Sequence, residues 1–421
     1  MTRYALMQAT TGSVLLILLL APSARAEVKV QCPGDLDGDA IPDPKIKTGP
    51  NKGKANPAYR PEVRCRHLSA GDGFLTMADG RDLYMFGFAD VTGTPPGQVM
   101  EKGMLGANAP APTIAVDEGD ELYLSLTNVG MNGRPDLFDP HSVHWHGFPQ
   151  AAAVFDGVPE SSIAINMGSS LTYYYKVIEP GTYMYHCHVE ATEHMQMGML
   201  GNLYVRPKQN KLPNNTPLAG GFIHKTGQKY AYNDGDGSTR YDLEVPIQIT
   251  SMDPSFHDAS EQVQPLPFAL MRDRYPLLNG RGYPDTVNPG PLPAPMMNMG
   301  VVSQPVSSVV TAKKGQRVLL RISNLTVTRF FTLGTVGVPM QIVGHSARLL
   351  RGPSPDGVVP GKNLYYTTGS VTLGGGESVD VIVDTGPLAA GTYFLYSKNL
   401  FDLANNFDDL GGMMTEIVIQ P

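Results

Sequence analysis

The stretch Gly181-Thr182-Tyr183-Met184-Tyr185-His186-Cys187-His188 predicts a β-strand, because aromatic residues fill it and turn residues bound it. Side chains alternate between the two faces of a strand, so Cys187 points one way while His186 and His188 point the other. A second predicted strand lies upstream in His141-Ser142-Val143-His144-Trp145-His146-Gly147, where His144 and His146 share a face that His141 does not. These segments and the nearby His194 account for six of the ten histidines, so the pattern indicates metal binding.

A thiolate, two imidazoles and a weak thioether form the ligand set of a blue copper centre. We therefore predict one copper centre on the inward face, with the ligands His141, Cys187, His194 and Met199. The outward histidines would form half of a second copper site, with the ligands His144, His146, His186 and His188. Because Cys187 is covalently continuous with both flanking histidines, electrons can pass between the sites along the backbone.

These segments resemble motifs of the multicopper oxidases, and the resemblance covers most of the chain after about residue 67. It is carried by His144-Trp145-His146-Gly147, by Asp156-Gly157-Val158-Pro159 and by the stretch that ends at His186. It implies that the inward four residues bind type 1 copper and that His144 binds type 2 copper. It also implies type 3 roles for His146, His186 and His188.

Both segments that carry the predicted copper ligands lie in the first domain. The chain is therefore similar to two-domain multicopper oxidases with type 1 copper in domain one, and to copper nitrite reductases. Two details depart from the usual oxidase pattern. His194 and Met199 lie two residues farther from Cys187, and Met195 and Met197 compete with Met199 for the axial position.

The composition predicts an all-β protein, since the chain contains 46 Gly and 36 Pro and only 17% charged residues. An internal repeat divides it: residues 116–122 recur as 312–318, and Gly181-Thr182-Tyr183 recurs as Gly391-Thr392-Tyr393. Each copy has the alternation of a Greek-key β-sandwich, and the resemblance makes both cupredoxin-like. The predicted order is a signal peptide at 1–26, an N-terminal extension at 27–66, a copper-binding domain at 67–207, a linker at 208–240 and a second domain at 241–421.

The second copy lacks copper ligands. We align residues 338–344 with 141–147, and Tyr396-Ser397-Lys398 with His186-Cys187-His188. Three explanations are open. First domains from two subunits could face each other, or a reduced site could hold one or two coppers and recruit His345 or His257 from a neighbour. In the third explanation, the oxygen-reducing cluster is lost and a blue copper electron carrier remains. The four retained outward histidines argue against this third explanation.

The first 26 residues have the pattern of an export signal, with Arg3, an apolar stretch at 14–21 and Ala24-Arg25-Ala26 as a small-x-small cleavage site. We expect a secreted or periplasmic protein with no membrane span after signal removal. The net charge of −7 and the absence of a basic stripe argue against a nucleic-acid partner.

The N-terminal extension carries two further predictions. Cys32 and Cys65 remain once Cys187 is assigned to copper, and an exported protein can pair them in a disulfide. Alternating carboxylates around a glycine turn favour a structural Ca²⁺ site with the ligands Asp35, Asp37, Asp39 and Asp43. A solvated acidic turn is the alternative.

Together these features predict an exported two-domain cupredoxin oxidase. A small reducing substrate, a metal ion or a phenol, would give single electrons to type 1 copper, and dioxygen would be reduced to water at the second site. Glu190 and Glu193 are candidate proton-handling groups, and we expect a homotrimer that completes the second site.

Two alternatives are kept. The first is a copper nitrite reductase-like enzyme, with His345 as a proton donor; against it, Lys398 and His144 replace two residues which that family requires. The second is a non-enzymatic blue copper protein that transfers electrons or handles copper. The methionine clusters, soft ligands that suit Cu(I), favour a cuprous substrate, although methionine also fills cores.

Overall fold

The computed structural model describes residues 30–149, 151–354 and 360–421. The predicted signal peptide, 1–26, lies outside the described residues. Over the described ranges, no helix has the length and apolar character needed to cross a bilayer. Short strands joined by glycine- and proline-rich turns make up most of this part of the chain, which confirms the predicted all-β class.

The first β-sandwich consists of two four-stranded sheets. Its strands are β1 (Val63–Thr76), β2 (Asp82–Asp90), β3 (Ala111–Asp117), β4 (Glu121–Gly130), β5 (His144–His146), β6 (Ser170–Lys176), β7 (Gly181–His186) and β8 (Leu200–Arg206). One sheet has the order β2-β1-β4-β6 and the other the order β3-β8-β7-β5. Apolar side chains of both sheets meet in one core, which includes Trp145 and Tyr185.

The second β-sandwich repeats this plan with longer sheets. The remaining strands are β9 (Lys229–Tyr230), β10 (Arg240–Tyr241), β11 (Leu243–Met252), β12 (Tyr275–Leu278), β13 (Val310–Lys313), β14 (Arg317–Asn324), β15 (Phe331–Thr335), β16 (Met340–His345), β17 (Arg348–Leu349), β18 (Tyr366–Thr368), β19 (Ser370–Leu373), β20 (Glu377–Asp384), β21 (Gly391–Ser397), β22 (Ala404–Asn405), β23 (Asp408–Asp409) and β24 (Met414–Gln420). The sheet β12-β11-β14-β20-β16-β17, with β18 on β16, faces the sheet β13-β24-β21-β15-β19. Strands β9 and β10 pair with each other at the end of the predicted linker, and β10 crosses from it into the second domain.

The described helices are short: α1 spans Val99–Gly103, α2 spans Ala191–Gln196 and α3 spans Pro254–Glu261. Helix α2 lies in the loop between β7 and β8 and carries His194. In α3, the side chain of Asp253 accepts the N–H of Ser255 at 2.9 Å and caps the helix, while Phe256 packs into the first core.

A buried polar network joins the second sandwich to the beginning of β7. The Nη1 of Arg321 donates to Thr182 Oγ1 at 2.8 Å, and Thr182 Oγ1 donates to Asp380 Oδ1 at 2.5 Å. The Nε of Arg321 also donates to Glu244 Oε1 at 2.7 Å. Because each charged group of this network contacts a group of opposite charge, the charges are tolerated in the interior, and they fix the strand that leads to the site.

The N-terminal extension is tied to the first sandwich by the predicted disulfide. Cys32 and Cys65 are bonded with their Cα atoms 5.9 Å apart, which confirms this prediction. Strand β1 begins at Val63, inside the range that we predicted as the extension, so Cys65 belongs to the sheet itself.

We expect the Cys32→Ser/Cys65→Ser double variant to lose about 3–4 kcal/mol of stability, because the disulfide closes a loop of moderate length in the unfolded chain. Urea unfolding followed by circular dichroism measures this loss. Reducing agent should destabilise the wild-type protein by a similar amount and leave the double variant unchanged. Equal midpoints for both proteins would contradict a stabilising role of the disulfide.

Candidate metal centres

The inward site gathers the predicted thiol and both predicted imidazoles in a buried cluster. Cys187 Sγ lies 3.1 Å from His194 Nδ1 and 3.8 Å from His141 Nδ1. All three side chains are fully buried, and the candidate ligand atoms lie within 4.8 Å of one another. The Nδ1 atoms of both rings face Cys187 Sγ, while on the far side of the rings His194 Nε2 lies 3.5 Å from Asp139 Oδ2.

Backbone hydrogen bonds fold the α2 loop around this site. The N–H of Cys187 donates to Met199 O at 3.1 Å, and the N–H of Met199 donates to His194 O at 2.8 Å. These bonds bring the three positions together although they are separated in sequence. Met199 and its competitor Met197 are both fully buried, so the axial role of Met199 stays a prediction.

Burial and neighbouring charges shift the pKa values of the two inward imidazoles in opposite directions. Burial opposes protonation of His194, but Cys187 and Asp139 outweigh it and raise the pKa of this imidazole to about 10. Full burial, together with the neighbouring His194, keeps the pKa of His141 well below its usual range. A metal ion that binds here would have to displace the proton that the raised pKa keeps on His194.

The outward histidines line an open cleft on the opposite face of β7. His146 Nδ1 lies 3.2 Å from His186 Nε2, and the rings of His144 and His188 have centroids 5.1 Å apart. Candidate ligand atoms of His144, His146 and His186 lie within 4.8 Å of one another. The structure therefore brings the outward residues together as predicted, with His188 beside the tighter group of three.

Hydrogen bonds to backbone carbonyls orient two of the outward rings. His144 Nδ1 donates to Asp156 O at 2.6 Å, and His186 Nδ1 donates to Cys187 O at 2.7 Å, which leaves both Nε2 atoms unprotonated. Burial lowers the pKa of His186 to about 3, and it lowers the pKa values of His144 and His146 as well. Neutral rings with free lone pairs are the form that binds metals.

The second sandwich forms the far wall of the histidine cleft, which has a volume of about 330 Å³. The wall consists of residues 325–327 and of Gly375 and Gly376, and none of these offers an imidazole. A Cβ on Gly376 would lie 2.6 Å from His146 Nε2, so only glycine lets the wall approach this closely. No local pattern predicts this contact, because it joins distant parts of the chain.

A second cleft, of about 340 Å³, lies beside His194 and is acidic. Its lining includes Asp139, Glu190 and Glu193, and Asp139 Oδ2 lies 3.5 Å from His194 Nε2. Burial raises the pKa of Glu193 to about 7. The two glutamates that we predicted as proton-handling groups thus lie next to the inward site. Asp139 was not among the predicted residues.

Strand pairing corrects our alignment of the second copy. Strand β15 pairs with β21 as β5 pairs with β7, and Gly334 faces Tyr396 where His144 faces His186. The counterpart of residues 141–147 is therefore 331–337 rather than 338–344. The pairing of strands in the sheet, rather than the spacing of glycines along the sequence, determines which residues correspond. The new alignment replaces His141, His144 and His146 by Phe331, Gly334 and Val336.

In the second sandwich, other side chains occupy the position that corresponds to the inward site. The N–H of Ser397 donates to Met413 O at 2.9 Å, as that of Cys187 does to Met199 O. Ser397 Oγ donates to Asp402 Oδ2 at 2.6 Å, and Arg329 pairs with Asp402 at 2.7 Å. A hydrogen-bonded ion pair thus occupies the space that a metal would need.

The remaining histidines lie away from both clusters. His257 contacts the carbonyls of Tyr84 and Gln196, and His345 Nε2 bonds to Tyr366 OH at 2.8 Å. His67 and His224 bond to a threonine and a tyrosine, respectively. None of these four lines the histidine cleft among the described residues, so one chain alone offers four imidazoles there.

The predicted calcium loop contains an internal cation. Asp35 accepts the N–H groups of Gly38 and Ala40, both at 2.8 Å. Lys47 Nζ lies 2.7 Å from Asp37 and 2.8 Å from Asp43. Its positive charge balances these carboxylates, so they do not require an added ion. The calcium site stays a prediction that has to compete with this lysine.

The donor set of the inward site suits copper, because a thiolate and two imidazoles are combined in a buried, rigid position. The outward set, with two Nε2 lone pairs and His146 Nδ1 directed into one cleft, suits a further copper ion or pair of ions. His141, Cys187 and His194 would hold the first, and the outward histidines would hold the others.

Residues 90–210 match the sequence profile of the family described as multicopper oxidase. This segment is similar to multicopper oxidases. Over 120 residues the chain is 34% identical to a multicopper oxidase of Talaromyces pinophilus, and over 122 residues it is 34% identical to a laccase of Aspergillus fumigatus. Each match covers 28% of this chain, and the chain spans only 18% and 19% of those relatives.

Solved structures with the same fold cover much more of the chain. The blue copper oxidase of Nitrosomonas europaea superimposes with a TM-score of 0.60 at 24% identity, over 85% of this chain and 86% of that one. A copper nitrite reductase of the same organism gives 0.53 at 17% identity, over 85% and 94%. At these identities the likeness establishes the cupredoxin-like fold of the two sandwiches.

We expect Gly376→Ala to displace His146 and to lower the metal content of the outward cluster, while the inward site keeps its metal. The added Cβ would overlap the ring, and the positive φ of 90° adds strain. Metal analysis of the purified variant, with its absorption spectrum, measures both sites.

Gly315→Ala is the matched control, since Gly315 has a φ of 93° but open space around its Cβ position. This variant should keep the wild-type metal content. Equal metal losses in both variants would mean that strain alone, rather than contact with His146, causes the effect.

Proposed function

We propose that this chain is an exported copper oxidase, which takes single electrons from a small reducing substrate and uses them to reduce dioxygen. Copper supplies the one-electron redox chemistry at both sites when it is bound. The observation that carries the proposal is the pairing of Cys187 with His186 and His188 on opposite faces of one strand end. A chain that only stored or carried electrons would have no use for four converging imidazoles.

Several features support the inward site as the point of electron entry. We propose His141, Cys187, His194 and Met199 as its type 1 copper ligands. His194 extends toward the acidic cleft, where Asp139 Oδ2 is 3.5 Å from its Nε2, so this ring lies between the thiol and the protein surface. A reductant in the cleft would therefore be separated from Cys187 only by the imidazole of His194.

The charge of the cleft favours a cationic reductant. Three carboxylates line it, from Asp139, Glu190 and Glu193, against one cation, Arg134, whose side chain is already paired with Asp136. The cleft therefore attracts cations more strongly than neutral phenols. We propose a metal ion as the preferred substrate and a phenol as the weaker one. Glu193, whose pKa burial raises to about 7, would exchange protons with the cleft near neutral pH.

The outward site supports dioxygen reduction. We propose His144 as the type 2 ligand and His146, His186 and His188 as the type 3 ligands. The Nδ1–H of His186 donates to Cys187 O at 2.7 Å, so a hydrogen bond as well as the covalent backbone connects the two sites. The cleft is open to water and to small molecules.

An assembly would complete the outward site. The second-sandwich wall of the cleft brings no imidazole among the described residues, so further ligands have to come from another chain. We propose a homotrimer in which the histidine clefts are closed by neighbouring subunits. The disulfide between Cys32 and Cys65 suits an exported, secreted or periplasmic protein, because such bonds persist in oxidising compartments.

We expect the copper-loaded protein to be blue and Cys187→Ser to be colourless, with oxidase activity reduced at least a thousandfold. The colour requires a bond from this thiolate to copper. Absorption spectroscopy and oxygen consumption measure the two effects. The Cys32→Ser/Cys65→Ser variant is the matched control and should stay blue; a blue Cys187→Ser protein would refute the assignment.

We expect Glu190→Gln/Glu193→Gln to raise the KM for ferrous ion about tenfold, which corresponds to about 1.4 kcal/mol of lost attraction. The kcat with ferrous ion and the KM for an uncharged phenol should change less than twofold. Steady-state kinetics in both substrates measure this, with Glu62→Gln as a control outside the cleft. Parallel changes in both substrates would contradict a charge-based preference.

We expect light scattering of the purified protein to give about three times the chain mass. Nitrite-dependent release of nitric oxide without oxygen consumption would favour the nitrite reductase alternative. One copper per chain with neither activity would favour the electron carrier instead.

A further inference from the structure

The connection between β11 and β12, residues 253–274, falls within the predicted second domain but packs against the first sandwich. Its helix α3 contacts β2, and Asp258 on this helix pairs with Arg81, the residue before β2, at 2.5 Å. Two further polar side chains of the connection, His257 and Asp273, line neither the histidine cleft nor the acidic cleft. Both reach instead toward the loop that carries the ligands of the inward site.

This ligand loop, residues 187–199, carries three of the four predicted ligands of the inward site and ends in a tight turn at 196–198. Gly198 in the turn has a φ of 114°, and a Cβ on it would lie 2.9 Å from Phe86 O. The N–H of Phe86 donates to Met197 O at 2.9 Å. The backbone of the turn therefore lies directly against β2.

His257 is fully buried between β2 and the turn. Its Nδ1 lies 2.5 Å from Tyr84 O, and its Nε2 lies 3.0 Å from Gln196 O. A carbonyl oxygen only accepts hydrogen bonds, so the ring donates to one of these oxygens when it is neutral and to both when it is protonated. In either form, the imidazole fixes the distance between the backbone of β2 and the start of the turn.

Asp273 holds the same residue of the loop by its side chain. The Nε2 of Gln196 donates to Asp273 Oδ1 at 3.2 Å, and Ser251 Oγ donates to Asp273 Oδ2 at 2.7 Å. Thr328 contacts the second of these oxygens as well, which ties the carboxylate to the second sandwich. Gln196 is thus held at its carbonyl by His257 and at its amide by Asp273.

A displacement of Gln196 would reach the inward site along the backbone. Met197 and Met199, the two candidates for the axial thioether, follow it by one and three residues. The N–H of Met199 donates to His194 O at 2.8 Å, and its carbonyl accepts the N–H of Cys187 at 3.1 Å. The position of Gln196 therefore bears on the thioether and, through these bonds, on the other ligands.

We propose that His257 and Asp273 are positioning residues, which hold the ligand loop so that its thioether keeps a fixed distance from the inward copper. The axial ligand tunes the redox potential of such a centre, so a small shift of the loop changes how readily the copper is reduced. This inference rests on the proposed copper assignment. It gives the second sandwich, which has no copper ligand at the matching positions, a part in adjusting the first.

His257→Phe tests the proposal, because it keeps a flat ring of similar size and removes both polar nitrogens. We expect the copper-loaded variant to stay blue with a shifted absorption maximum. Its equilibrium with a redox mediator should change at least tenfold, which corresponds to about 59 mV for one electron. Hydrogen exchange in the peptide 187–199, followed by mass spectrometry, should be at least tenfold faster than in the wild type.

His224→Phe is the matched control, since it makes the same change at another fully buried histidine, which bonds to Tyr230 instead. It should keep the wild-type spectrum, potential and exchange rates. Asp273→Ala should shift all three as His257→Phe does, and it serves if that variant does not fold. Asp273→Asn, which keeps an oxygen for the amide of Gln196, should restore the wild-type values.

Wild-type values in both His257→Phe and Asp273→Ala, or equal changes in His224→Phe, would overturn the proposal. Its failure is distinguishable from failure of the proposed function. A colourless wild-type protein would refute the copper assignment, whereas unchanged hydrogen exchange in the variants would refute the hold of His257 and Asp273 on the loop.

Discussion

The alternation of side chains at the end of β7 and in the two residues that follow it is the constraint on which both candidate sites depend. Cys187 can be sealed inside the first core only if His186 and His188 face outward, because neighbouring side chains on an extended chain point in opposite directions. A shift of the strand by one residue would exchange the two faces and destroy both sites together. The protein therefore needs a fixed register for β7, and pairing with β5 and β8 provides it on both sides.

The second sandwich reinforces this register from the opposite end of the strand. Arg321 and Asp380 meet Thr182 in the interior, and the hairpin turn at Ala347 packs against Gly181. Buried ion pairs often add little net stability, but they do penalise alternative arrangements that leave a charge without a partner. We interpret the network as a device that specifies where β7 begins, so that the ligands at its end are placed correctly.

Local pattern was enough to predict the fold class, the two faces of the ligand strand and the disulfide. Prediction failed where the information is not local. The counterpart of residues 141–147 was misaligned, because only pairing of β15 with β21 shows the register. Asp139 and Gly376 were missed, since each reaches its histidine from a distant segment. Burial does not decide between Met197 and Met199, because both thioethers are enclosed.

The ion pair beside Ser397 has a consequence for how the protein would mature. Asp402 accepts the hydroxyl of Ser397 and pairs with Arg329, so the second sandwich leaves no unpaired charge at this position for a cofactor to balance. We therefore expect this half of the molecule to fold without metal, unlike small metallodomains that fold only around their ion. Metal ions would then enter a cleft whose far wall is already in place.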